Sequence, residues 1–319
     1  MEEAEIIRHW YWNKNAIVRN FILWELLKQV RHRSTDFVLC RERFAEQDNL
    51  FKSAQRFYSI GTFGFLCGQV QKRFFEEHIL YWHFFHSIAL LRFCGDDGKK
   101  LDLNADFEKA KFGFDTIIDI DSKKETLKER MEESYFEATK ITDYLNKIDA
   151  TYVVSFSGNA GFHIRILWND LRQYFTVEDY GVANRELALF IVRESGAKLV
   201  DTGVLGSGRD LIRCLWSLNP KSLKVCKPLT VNEFSGFELG IVDPEWLLDN
   251  LPKNYEKTPL DYKREGNLDK LIKSFSSEYK PIERQAIKPA LDAVDILARR
   301  INKLSKKEKE ELMRLIKNG

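Results

Sequence analysis

Hydrophobic and polar positions change period sharply between Phe112 and Trp168. In F-G-F-D-T-I-I-D-I-D, Ile118 and Ile120 alternate with Asp119 and Asp121, which predicts a strand with an apolar face and a face carrying two carboxylates. Leu127, Met131, Tyr135, Ala138, Ile141, Leu145 and Ile148 then recur every three or four positions, so an amphipathic helix is expected that ends before Asp149. Y-V-V-S-F and I-R-I-L-W follow as a strand pair joined by S-G-N-A-G-F-H. The unit predicted is a strand, a crossover helix and a hairpin.

The flanks are read the same way. Residues 4–32 carry Ile6, Trp10, Ile17, Phe21, Trp24, Leu27 and Val30 on one helical face, read as core, with stacking on single-stranded bases beside Arg8, Arg19, Arg31 and Arg33 as the alternative. S-T-D-F-V-L-C and Y-S-I-G-T-F-G-F-L-C predict strands, Val70 to Glu77 a helix, and H-I-L-Y-W-H-F-F-H-S-I-A-L-L-R-F one or two buried strands. The C-G-D-D-G-K-K segment is a turn with solvated aspartates. Downstream come a helix from Val177 to Glu194 stopped by Gly196, and A-K-L-V-D as a strand delivering Asp201. A loop with Gly203, Gly206 and Gly208 precedes the strand L-I-R-C-L-W. Residues 251–268 are polar with two prolines and read as a linker, before helices over Asp269 to Phe275, Ala290 to Leu304 and Lys306 to Lys317.

Composition narrows the class without choosing within it. With 319 residues, 44% hydrophobic and 31% charged, the chain has ample material for a core. Its 50 basic and 48 acidic side chains leave a net charge of +2, so a polyanionic partner would have to meet a local patch. Cys40, Cys67, Cys94, Cys214 and Cys226 are unpaired in spacing and read as reduced thiols. The acidic start M-E-E-A-E is unlike a secretory signal, and no stretch has membrane-spanning length without charges. A cytoplasmic location with no membrane partner is therefore expected.

Candidate chemistry gathers on the central unit. Two carboxylates on one strand face repel each other, and a divalent cation between them converts repulsion into shared ligation; two solvated aspartates at a strand end are the plainer alternative. Gly158 and Gly161 permit a tight turn whose N–H groups can converge on an anion, and His163 opens the next strand within reach of it. His78, His83 and His86 have no carboxylate among them and do not share a strand face, so they read as core or solvated residues.

Asp119-Ile120-Asp121, Ser157-Gly158-x-x-Gly161-x-His163 and Val200-Asp201 resemble, in order, the three motifs of the archaeo-eukaryotic primase superfamily. Arg209 to Ser222 is similar to the arginine-rich stretch that ends in Ser-Leu-His-x-Lys-Thr in archaeal and eukaryotic primase catalytic subunits. Together the motifs span roughly residues 110–230. Asn219 stands where the family has histidine, which places its contact with a triphosphate in doubt, and no zinc-ligand spacing is present, so no zinc is expected.

The resemblance implies an α/β (α+β) fold, a mixed-sheet primase-type catalytic domain with an RRM-like core and a small C-terminal helical appendage. It implies a catalytic domain over 1–250, with its motif-bearing core at 111–250, the linker at 251–268 and a helical region at 269–319. Asp119, Asp121 and Asp201 would be catalytic and hold two Mg2+ or Mn2+ ions. Ser157, Gly158, Gly161, His163, Arg209, Arg213, Ser217, Asn219 and Lys221 would bind the nucleotide. Expected partners are a single-stranded DNA template, nucleoside triphosphates, and a large primase subunit or other replication protein. Rival readings are an end-joining or repair polymerase of the same superfamily, a metal-dependent nuclease, and a non-catalytic nucleic-acid-binding module.

Overall fold

The computed structural model describes residues 111–201, 211–219, 221–251 and 262–279, the strand segments 35–40, 81–87 and 89–91, and helical positions Ile6, Trp10, Tyr11, Ile22 and Glu25. The expected strand at 58–67, the helix at 70–77, the turn at 94–100, the glycine loop with Arg209, and the helices at 290–304 and 306–317 lie outside them. The chain clusters into two units, residues 1–275 and 276–319.

Within the first unit the strands are β1 Thr35–Cys40, β2 Tyr81–Ser87, β3 Ala89–Leu91, β4 Lys111–Phe114, β5 Thr116–Ile120, β6 Val153–Phe156, β7 Phe162–Ile166, β8 Leu211–Arg213 and β9 Pro228–Leu229. The helices are α1 Leu127–Lys147, α2 Trp168–Leu171, α3 Val177–Ser195, α4 Val231–Ser235, α5 Pro244–Asn250 and α6 Asp269–Glu278. This is a mixed α/β fold, as expected. Its strands form sheets in the orders β1-β2-β8, β3-β4 and β5-β7-β6-β9, every pair antiparallel. Because β7 pairs antiparallel with both β5 and β6, those two run parallel, and α1 is the crossover between them.

The expected single strand over 112–121 is two strands. Asp115, 2% exposed, interrupts it: its Oδ1 accepts the Trp168 N–H (2.9 Å) and its carbonyl accepts Asn184 Nδ2 (3.3 Å). A buried polar group must find partners, and these draw the backbone out of the ladder. β4 therefore pairs with β3 while β5 joins the central sheet.

Helix α1 begins at Thr126, whose hydroxyl accepts the Glu129 N–H while the Glu129 carboxylate accepts the Thr126 N–H, a reciprocal cap. Met131, Ala138, Ile141 and Leu145 are buried as their spacing predicts, whereas Leu127 is exposed. The apolar sheet face, with Ile118, Ile120, Val154, Phe156, Phe162 and Ile164, lies against Tyr135 of α1, Phe234 of α4 and Phe237. Phe162 is at the centre, its ring centroid 5.1 Å from Phe237, 5.6 Å from Phe234, 5.8 Å from Phe156 and 5.9 Å from Tyr135. The opposite face carries Ile117, which packs on Ile212 of β8, together with Asp119, Ser155, His163 and Arg165.

Residues 262–268, within the expected linker, are tied to the sheet. Arg264 donates its backbone N–H to Tyr152 O (2.8 Å) and its guanidinium to Ala150 O (3.0 Å) and Asp149 Oδ1 (2.8 Å). On α6, Phe275 packs edge-on against Phe190 of α3 at 5.6 Å.

Phe162→Ala should lower stability by about 3–5 kcal/mol, as for a large aromatic removed from a packed cluster. Phe136→Ala, at a ring 60% exposed, should change it by less than about 0.5 kcal/mol. Urea midpoints of the two variants against the parent chain check the contrast.

Candidate active site

Asp119 sits on the polar face of β5, directly across from His163 on β7. His163 Nε2 is 3.5 Å from Asp119 Oδ1. Asp121 follows one residue beyond the strand end and is exposed. The third carboxylate arrives differently from expectation. Residues 197–201 form no strand; the Asp201 N–H donates a single bond to the Asp119 carbonyl (2.9 Å). One hydrogen bond is no ladder, but it fixes Asp201 beside Asp119 on the strand edge that β7 does not use.

The three carboxylates feel one another. Burial raises the Asp119 pKa, and the charges of Asp121 and Asp201 raise it further to about 7, against an opposing contribution from Arg165. Burial also raises that of Asp121; Arg130 opposes the shift, Asp201 adds to it, and Lys221 and Lys123 oppose it. Among the described residues, no three His, Cys, Asp or Glu side chains are grouped at metal-ligating spacing. The carboxylates interact at longer range. Their chemistry fits a hard divalent cation: all-oxygen donors whose mutual repulsion such an ion would relieve.

His163, 5% exposed, is held neutral: burial lowers its pKa well below the usual value, and the Arg165 and Arg213 charges lower it further. Arg165, two residues along β7 on the same face, donates through Nη2 to the Arg213 carbonyl (3.1 Å). Arg213 donates through Nη1 to the Leu218 carbonyl (3.3 Å). Both guanidinium groups act on His163, and Arg165 also acts on Asp119.

The glycine-bearing turn is built as expected but spends its amides internally. Ser157 donates its N–H to Gly161 O (2.9 Å), and Ser157 Oγ accepts the N–H groups of Gly161 (3.1 Å) and Asn159 (3.4 Å). The expectation of amides converging on an anion is therefore not met at positions 159 and 161, because the serine hydroxyl is the nearer acceptor. Gly158 has φ 90°, a conformation that favours glycine. At Gly161 a Cβ would lie 2.3 Å from the Ile120 carbonyl, so only glycine lets the turn approach the strand between the two aspartates.

The 213–222 segment folds back onto this turn. Ser222 Oγ donates to the Gly158 carbonyl, and Asn219 Cβ is 3.0 Å from where a Gly158 Cβ would stand. Two of its expected nucleotide ligands are committed elsewhere. Ser217, fully buried, donates its hydroxyl to Cys214 O (2.7 Å), and Asn219 Oδ1 accepts the Lys221 N–H (2.9 Å) to shape its own turn. Lys221 is exposed and electrostatically coupled to Asp121. The segment is braced from the N-terminal helical residues: Trp10 Nε1 donates to Trp216 O (2.9 Å), and Tyr11 Oη accepts the Leu218 N–H (2.8 Å). Trp216 itself has φ 66°, a strained value for a bulky residue.

The structure thus brings together Asp119, Asp121, Asp201, His163 and Lys221, and sets the Ser157 to Gly161 turn against Asn219 and Ser222. Sequence reasoning missed Arg130 and Arg165. Period-two alternation from His163 would have put Arg165 on the aspartate face, and a position three residues into α1 would have put Arg130 near the strand end.

No family model matches this sequence, and no curated protein matches it. Among solved structures, the chain is similar to the polymerase domain of ligase D from Mycobacterium tuberculosis in complex with DNA, with a TM-score of 0.45 and 12% identity over 74% of this chain and 88% of that one. Among the described residues no helix is long and apolar enough to cross a membrane.

Asp119→Asn should stabilise the cation-free protein in a pH-dependent way. In the unfolded chain this carboxyl ionises near pH 4, but in the folded chain only near pH 7. Below about pH 4 both states are protonated and the variant gains nothing. Between pH 4 and 7 the parent loses stability as pH rises, and above 7 its full penalty is present. The gain in thermal midpoint should therefore grow from pH 4 to pH 7 and then level off, which a set of melts across that range reads directly.

Proposed function

We propose that this chain is a metal-dependent nucleotidyltransferase that polymerises nucleotides from nucleoside triphosphates on a single-stranded DNA template, and that its reaction is primer synthesis. The observation that supports it is the convergence of Asp119, Asp121 and Asp201 from separated segments onto one edge of β5, beside His163 and Lys221. A solvated or purely structural role would not concentrate like charges where burial makes them costly.

Asp119, Asp121 and Asp201 would hold the ions. Bound there, two divalent cations, Mg2+ or Mn2+, supply activation of an attacking 3′-hydroxyl and neutralisation of the departing pyrophosphate. The chain's own residues do the rest. Lys221, exposed and electrostatically coupled to Asp121, attracts the triphosphate. Arg165, on the face of Asp119, adds fixed positive charge beside the carboxylates, which favours anionic phosphate there. His163, kept neutral, keeps a third positive charge away from the cations and braces Asp119 instead. The Ser157 to Gly161 turn closes one wall.

A second reading, an end-joining or repair polymerase that extends existing primers, is favoured by one feature. The side chains of Ser217 and Asn219, in the segment that most resembles replicative primases, are used inside their own turn. A role in DNA replication, and a large primase subunit or other replication protein as partner, belong to the first reading only.

Incubating the full chain with single-stranded DNA, Mg2+ or Mn2+ and labelled ribo- or deoxynucleotides, without any oligonucleotide start, separates them. Template-dependent oligonucleotides that vanish in Asp119→Ala and Asp201→Ala, by a factor on the order of a thousand, are expected. Incorporation only when an annealed primer is supplied would favour the second reading. No incorporation under either condition would overturn both.

A further inference from the structure

We propose that Ser155 is a positioning residue of this site: its hydroxyl donates a hydrogen bond to His163 Nδ1 and so fixes the imidazole with its Nε2–H toward Asp119. Ser155 on β6, His163 on β7 and Asp119 on β5 form one continuous row, each directly opposite the next. Antiparallel partners point to the same face with Cβ atoms about 4.5–5.5 Å apart, within reach of a hydroxyl and an imidazole.

Both ends of the missing link are visible. Ser155 is fully buried and His163 5% exposed. Ser155 Oγ and His163 Nδ1 are each sealed from solvent without a hydrogen-bond partner. Two buried polar atoms on directly opposed residues of one strand pair can serve one another once the serine side chain turns its hydroxyl toward the ring.

The polarity follows from the far end of the ring. Nε2 is 3.5 Å from an Asp119 carboxyl oxygen, and once that carboxyl is ionised a lone pair turned toward it would be repelled, so Nε2 then carries the proton. With that proton on Nε2, a neutral imidazole presents Nδ1 as an acceptor. Arg165 shares the face, with a buried Nε as a second donor, but it lies two residues along β7 and opposite Val153, and its Nη2 donates to the Arg213 carbonyl. The Ser155 hydroxyl is the donor directly opposite. Such a row orients a cation-binding carboxylate from behind, as outer partners of ligand groups do. Its consequence for the reaction rests on the nucleotidyl-transfer reading, whereas the hydrogen bond itself does not.

The test is 15N NMR of the histidine side chains in the full chain without added cation, at about pH 9, where the Asp119 carboxyl is ionised. The His163 signals are assigned by their disappearance in His163→Gln. The parent should show the Nε2–H tautomer with Nδ1 shifted as a hydrogen-bonded acceptor. In Ser155→Ala the Nδ1 resonance should move toward that of an unbonded nitrogen or split between tautomers. Ser155→Thr, which keeps the hydroxyl, should restore the parent position, and Ser155→Cys, nearly isosteric with a weaker donor, should fall between. Superimposable His163 signals in the parent and Ser155→Ala, or an Nδ1–H tautomer in the parent, would overturn the proposal. With template, Mg2+ and nucleotide, Ser155→Ala should lose on the order of tenfold in kcat with little change in nucleotide KM. An unchanged kcat would overturn the positioning role. If the parent itself transfers no nucleotide, the polymerase reading fails, and the NMR comparison still decides the hydrogen bond.

Discussion

Everything at this site depends on one carboxylate drawn out of water and kept beside two others. Asp119 is held by strand pairing on one side and by the Asp201 N–H on its own carbonyl on the other, so the backbone leaves it no route away from its neighbours. Desolvation and like charge together push its pKa to about 7. A fold that minimised its own energy would place an apolar residue there. The apolar face of the same sheet shows what that looks like, with Phe162 enclosed by four other aromatic rings.

That cost is distributed over the surrounding elements. Arg165, on the same sheet face, offsets the negative charge at Asp119, and Arg130 and Lys221 offset it at Asp121 beyond the strand end. The guanidinium groups are themselves anchored on carbonyls, Arg165 on Arg213 and Arg213 on Leu218, and Leu218 is in turn anchored by Tyr11. The path from the N-terminal helical residues to the carboxylates is therefore a chain of hydrogen bonds and charges. His163, held neutral, is in contact with Asp119 and feels the charges of Arg165 and Arg213.

Much of this was legible in the chain because it follows from period and backbone chemistry. Alternation placed Asp119 opposite the apolar face, three-and-four spacing gave α1 almost to the residue, and two glycines marked the turn. What was not legible depended on partners distant in sequence. Asp115 broke the first strand because Trp168 and Asn184 needed it. Asp201 came on an extended segment that meets β5 through its N–H to the Asp119 carbonyl. The Ser157, Ser217 and Asn219 side chains looked available to a ligand, yet each has a nearby backbone group that satisfies it first. Short polar side chains in turns are drawn to their own backbone, and residue type alone does not reveal which way they point.

The central claim is that the raised Asp119 carboxyl is a cation ligand, and calorimetric titration of Mn2+ into the full chain in two pH 7 buffers of different ionisation enthalpy tests it most directly. A carboxyl that ionises only near pH 7 must lose its proton to bind an ion, so a fraction of a proton should be released per site at pH 7, and that fraction should shrink as pH rises. Asp119→Asn should abolish the release. Binding without proton release at pH 7, or release that survives Asp119→Asn, would contradict the account.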